Sequence, residues 1–79
     1  MRVIWNLRND VAIPFNNIKE FEIRDCSKCS EKAKEEYGIQ DWCVVAWYKV
    51  NIACEQFVFT ANSKADCIHF VDEMEGFLP

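Results

Sequence analysis

Apolar and polar residues alternate with a period of two over most of the first 25 positions. Val3, Trp5 and Leu7 fall on one side of the opening stretch and Arg2, Ile4 and Asn6 on the other, so it reads as a half-buried strand whose second face is also partly apolar. Arg8-Asn9-Asp10 is a turn, because Asn and Asp tolerate left-handed backbone and bond their own main chain. Val11, Ile13 and Phe15 resume the alternation in a short strand. Pro14 has no amide to donate, so this strand belongs at an edge. After a turn at Asn16-Asn17, Ile18–Asp25 alternates again, with Phe21 and Ile23 inward and Glu20, Glu22 and Arg24 outward.

The pattern lapses over residues 26–40. Ser30 can cap a short helix over Glu31–Tyr37, and Gly38 can end it in left-handed backbone. Two isolated turns do not persist in water, so the segment is expected to be a mobile, partly helical loop held by Tyr37 and Ile39.

From Asp41 onward the signal is dense, and the rest of the chain reads as a sheet built beside it. Trp42–Val50 is a strand with Val44, Ala46, Tyr48 and Val50 on one face and Cys43, Val45, Trp47 and Lys49 on the other. Ala53–Thr60 is its partner, with Phe57 and Phe59 sharing a face. A two-residue loop at Asn51-Ile52 would pair Lys49 with Cys54, Trp47 with Gln56 and Val45 with Val58. Those residues are poor hairpin chemistry, and a slip of one position would exchange every face. A helix then starts at Asn62 or Ser63, where Ser63-Lys64-Ala65-Asp66 has the form of a capping box. Ala65, Ile68, Val71, Met74 and Leu78 form an apolar stripe, widened by Cys67 and Phe70, and Gly76 and Pro79 mark its end. The expected fold is α+β: one domain over residues 1–79, an antiparallel sheet of four to five strands packed on one C-terminal helix.

Charge adds a direction. The chain carries 9 Lys/Arg and 13 Asp/Glu, a net −4. Residues 1–54 are balanced. The excess lies after them, where Lys64 stands against Glu55, Asp66, Asp72, Glu73 and Glu75. Direct nucleic-acid binding needs clustered cations and is disfavoured here; an acidic helix suits a basic protein surface. Anions in the last helical turns also oppose the helix dipole, and departures from a local rule are candidates for function. The candidate partner-binding residues are Asp66, Asp72, Glu73 and Glu75, with Trp47 as an exposed aromatic beside Val45 and Val58. No stretch is long and apolar enough for a membrane span, the opening has no leader-like apolar core, and five cysteines then suggest reduced thiols in a cytoplasm. An edge near Val11–Pro14 or an apolar sheet face could pair with a second copy, giving a homodimer.

Cys26 and Cys29 form a C-x-x-C pair that could bind zinc or serve as a redox dithiol. No second pair supplies the remaining ligands. Cys67 and His69 are about 200° apart on a helix, so they cannot both join a site, and Cys43 and Cys54 lie at opposite ends of the hairpin. A zinc or thiol module centred on Cys26 and Cys29 is the alternative reading; two unpaired thiols, with no metal or cofactor, is the simpler one. His69, the only histidine, has no nucleophile at a recognisable spacing, so no catalytic residue is assigned.

The segments Val3-Ile4-Trp5-Asn6, Phe15-Asn16-Asn17-Ile18-Lys19 leading into Phe21-Glu22-Ile23, and Phe57-Val58-Phe59 followed by Ser63-Lys64-Ala65-Asp66 are arranged as in small accessory proteins of phages and mobile elements, which the chain resembles in layout. The resemblance implies a non-enzymatic protein in a bacterial host cell. It would be of the kind that includes anti-CRISPR inhibitors of host defence, which bind a nucleic-acid-binding effector complex. It transfers no functional residue.

Overall fold

The central element is β4 (Trp42–Lys49), buried on both faces over Cys43, Val44, Val45 and Ala46. In the computed structural model, which describes residues 2–79, it pairs antiparallel with β3 (Ile18–Asp25) and β5 (Ala53–Ala61). The remaining strands, β1 (Val3–Trp5) and β2 (Ala12–Pro14), form a separate two-stranded ribbon. The expected single sheet of four to five strands is therefore divided two and three. The physical cause lies at Pro14 and the single 3-10 turn Phe15–Asn17, which bend the chain out of β2 before β3 begins.

Helix α2 (Lys64–Glu75) starts as its sequence dictates: Ser63 Oγ accepts the Asp66 amide at 3.2 Å. It crosses the face that carries Phe21, Ile23, Val44, Ala46, Val58 and Phe59, and Phe70 stacks on Phe59 with ring centroids 4.4 Å apart. The stripe is rotated from the expected one. Cys67 and Val71 are buried and Phe70, Met74 and Leu78 pack beside them, whereas Ile68 is 44% exposed and Ala65 is exposed. Once Cys67, Val71, Met74 and Leu78 define the centre, Ile68 lies about 100° away from it at 100° per residue.

The β4–β5 register also differs from expectation. The loop has three residues, 50–52, so Lys49 faces Ala53, Trp47 faces Glu55 and Val45 faces Phe57. A bulge between Val44 and Val45 absorbs Val58, after which Val44 faces Phe59. Phe57 and Phe59 consequently point to opposite faces. Phe59 joins the core under α2, and Phe57 packs with Cys26, Ile39 and Cys43 in a second, smaller core.

That smaller core explains residues 26–40. A true two-turn helix forms, α1 (Glu31–Tyr37), in place of the expected mobile loop. Ser30 Oγ accepts the Ala33 amide, and Gly38 ends the helix at φ 67°. The Ile39 amide then reaches back to the Lys34 carbonyl at 2.9 Å while Ile39 is buried, the bonding and apolar contact of a Schellman stop. The Lys34 ammonium, 2.7 Å from Asp41, fastens the helix to the start of β4. No helix of the described residues is long and apolar enough to cross a membrane.

Candidate interaction surface

The ribbon's register decides what it shows to solvent. Val3 faces Pro14, Ile4 faces Ile13 and Trp5 faces Ala12. Ile13 is buried and Ile4 packs on the main core, so the ribbon turns that face inward. Its other face consists of Val3, Trp5, Ala12 and Pro14, all apolar. Trp5 is 51% exposed, and Val3 and Ala12 are exposed beside it. The alternation separated Val3 and Trp5 from Ile4 without saying which side is covered; the structure covers the Ile4 side and leaves Val3 and Trp5 outward. Both faces of the ribbon are apolar, and a chain of 79 residues covers only one. An exposed apolar face that includes a tryptophan has the composition of an interface core.

Asn6 holds this ribbon in place. It is the one buried polar side chain among the described residues, 4% exposed. Its amide nitrogen donates to Asp10 Oδ1 at 2.7 Å and to Gln56 Oε1 at 3.0 Å. Its oxygen accepts the Asp10 and Val11 amides, each at 3.1 Å. One side chain thus closes the β1–β2 turn, in which Asn9 takes φ 57°, and ties that turn to β5. The Leu7 amide adds a backbone bond to the Phe57 carbonyl at 2.9 Å. Sequence reasoning placed Asn6 on the polar side of a strand and missed this role. The available signal was an Asn directly before the turn-forming Arg8-Asn9-Asp10.

Beneath the turn lies a cleft of about 270 Å³, floored by Leu7, Val11, Val45 and Phe57 and walled by Arg8, Tyr37 and Glu55. Arg8 lies over Tyr37 at 5.9 Å, Tyr37 lies 6.4 Å from Phe57, and Arg24 lies over the Phe57 ring at 5.9 Å. The Arg24 charge is used internally: it bonds Glu22 at 2.9 Å and Glu55 at 3.0 Å, and these carboxylates hold it firmly protonated. The Arg24 bond, followed by the Trp47 indole N–H at 2.8 Å, lowers the Glu22 pKa below its ordinary value. The cleft is of a size for one side chain of a partner, below the usual range for cofactor pockets.

The residues singled out from sequence occupy three places. Asp66 lies on the first turn of α2, and Asp72, Glu73 and Glu75 are exposed on its last turns. His69 Nε2 is 2.9 Å from Glu73 and points into solvent, away from the buried Cys67. Trp47 is on the opposite face of the sheet, half-buried and bonded to Glu22, and its expected companions are covered: Val45 is buried on its own face, and Val58 in the core under α2. The exposed tryptophan is Trp5. The acidic end of α2 does adjoin the ribbon, because Arg2 lies over the Phe77 ring at 4.0 Å and Phe15 packs on the same ring at 5.8 Å.

Cys26 and Cys29 diverge. The divergence is one of exposure alone: Cys29 is exposed and Cys26 buried, yet the Cys29 thiol still lies beside Cys26, which also meets Cys43, a proximity that the sequence did not reveal. Burial first, and the Cys43 thiol second, push the Cys26 pKa up to about 12, so it stays a protonated thiol. Among the described residues no group of three His, Cys, Asp or Glu side chains comes together as a metal site requires. Compared with known proteins, the chain matches no family model, no curated sequence and no solved structure.

Proposed function

We propose that this is a non-enzymatic protein that works by binding another protein. The reading rests on one observation, the outward apolar face of Val3, Trp5, Ala12 and Pro14 on a ribbon fixed to the sheet by Asn6. Exposed aromatic area on a rigid base is inexpensive to bury, because little side-chain or backbone freedom remains to be lost. Asp72, Glu73 and Glu75 are exposed on the helix whose end meets Arg2 through Phe77, and they favour a partner with basic residues around an apolar centre. A nucleic-acid-binding effector complex of a bacterial cell presents such a surface, and inhibition of a host-defence complex is the specific form of this proposal.

The test is capture from host lysate with three baits: the natural chain, Trp5→Ser, and the triple variant Asp72→Asn, Glu73→Gln, Glu75→Gln. A partner held by the natural chain, lost with Trp5→Ser and weakened by the triple variant at low salt supports the reading. A partner retained equally by all three baits overturns it.

A further inference from the structure

The three-stranded sheet has two outer edges, and they are not alike. The edge of β5 is engaged at its middle by the Leu7 amide and by Asn6 on Gln56. The edge of β3 is open: β4 takes one side of the strand, and among the described residues no backbone group of residues 20–25 bonds another backbone group on the other side. Natural edges are usually blunted by proline, by a short strand, by a bulge or by charged side chains, and over Glu20 to Asp25 this edge carries only the last, with charges of both signs that a second copy can match. Here β3 is eight residues long, its one bulge lies at the Lys19 entry, and Glu20 to Asp25 run in regular register. In contrast, β2, where a homodimer edge was expected from the sequence, is three residues long and ends in Pro14.

The order of side chains along β3 is self-complementary. We infer that β3 pairs antiparallel with β3 of a second copy, about a two-fold axis perpendicular to the sheet at Glu22, to give a continuous six-stranded sheet. In this register Glu20 faces Arg24 of the second copy on the outer face, a third carboxylate beside the Glu22 and Glu55 that this guanidinium already bonds. On the helix face Phe21 faces Ile23, joining the two half-buried margins of the cores, and the long Lys19 side chain, at the bulge that opens the strand, comes within reach of Asp25. Every such pair occurs twice. The single like-charge contact is Glu22 against itself, and each of those carboxylates is already compensated by its own Arg24 and by the Trp47 N–H. Neighbouring registers match less of the strand. An axis at Phe21 sets Glu20 against Glu22 and Ile18 against Arg24, whereas an axis at Ile23 keeps Glu22 against Arg24 but sets Phe21 against Asp25 and so loses the apolar Phe21–Ile23 contact. Both ribbons remain free, so the assembly would carry two copies of the Trp5 face.

The test uses sedimentation equilibrium of the full chain with Lys19→Glu, with Asp25→Lys and with their equimolar mixture. Both positions are exposed, and circular dichroism checks that each variant is folded. In each variant alone the two Lys19–Asp25 pairs become repulsive, and self-association should weaken by at least about tenfold. In the mixture, one Lys19→Glu chain and one Asp25→Lys chain restore opposite charges at both pairs, so the heterodimer should form as tightly as the natural dimer. A natural chain that stays monomeric into the millimolar range overturns the inference. So does a dimer unaffected by both variants, a mixture that fails to restore association, or a dimer dissolved by Trp5→Ser in place of the charge variants.

Discussion

Replacing Asn6 by aspartate changes one nitrogen into one oxygen and keeps the shape, so it isolates what that side chain does. The two donated bonds, to Asp10 and to Gln56, are lost. A bond to a neutral acceptor contributes about 1 kcal/mol and one to a carboxylate about 1.5–3 kcal/mol. The introduced carboxylate also stands where the amide nitrogen was, 2.7 Å from Asp10 Oδ1. At an effective dielectric between protein surface and water, that repulsion adds about 1–4 kcal/mol before relaxation. After relaxation the sum is about 3–5 kcal/mol, a large part of the roughly 4–12 kcal/mol expected for a domain of this length. Urea unfolding of Asn6→Asp and the natural chain at pH 7 and near pH 4 measures it. The deficit should shrink on acidification, because a protonated carboxyl carries no charge and can donate one of the missing bonds. Amide exchange should rise at Leu7 and Val11, whose amides the same turn holds. A variant within about 0.5 kcal/mol of the natural chain at pH 7, or a deficit indifferent to pH, would refute the role assigned to Asn6.

Three further outcomes follow from the packing and electrostatics. Val44→Ala, at a fully buried position under α2, removes two methyl groups at about 0.8 kcal/mol each and leaves a cavity, so urea unfolding should show a loss of about 2–3 kcal/mol. Glu22 has its pKa lowered by Arg24 and Trp47, so its contribution is present above the ordinary value of 4.5 and is lost as pH falls through the lowered one; stability of the natural chain should fall with acid below that value, and Glu22→Gln should flatten that slope. Thiol titration of the native chain near pH 8 should label Cys29 fast and Cys54 more slowly. Cys26, Cys43 and Cys67 should react only on unfolding, and fast labelling of Cys26 would contradict its burial against Cys43.

The sequence made the elements legible wherever one physical rule acted alone. Strict alternation marked β3 and β4, and the Ser30 and Ser63 caps and Gly38 marked the helix limits, because local hydrogen bonding fixes them. What stayed hidden depended on competition between distant parts. The bulge at Val58 follows from serving two cores on opposite faces, with Phe57 in one and Phe59 in the other, and no local feature announces it. The ribbon's orientation turned on whether Ile4 with Ile13 or Val3 with Trp5 would be covered; alternation cannot rank two apolar faces. Hence the exposed tryptophan was sought at Trp47, whose indole in fact satisfies Glu22, and was found at Trp5.

The claim that the ribbon's outer face is the contact is tested most directly by titrating the captured partner into the natural chain and into Trp5→Ser by calorimetry, with thermal unfolding of both chains as the control. Trp5 still exposes about half its surface. Covering that remainder, about 100–125 Å² at about 25 cal/mol per Å², is worth about 2–3 kcal/mol. The account predicts that Trp5→Ser weakens binding by roughly 30–150-fold in a chain that is still folded at the titration temperature, although it unfolds at a lower temperature than the natural chain because the buried half of Trp5 is lost as well. Equal affinity for the two chains, with both folded, would contradict it.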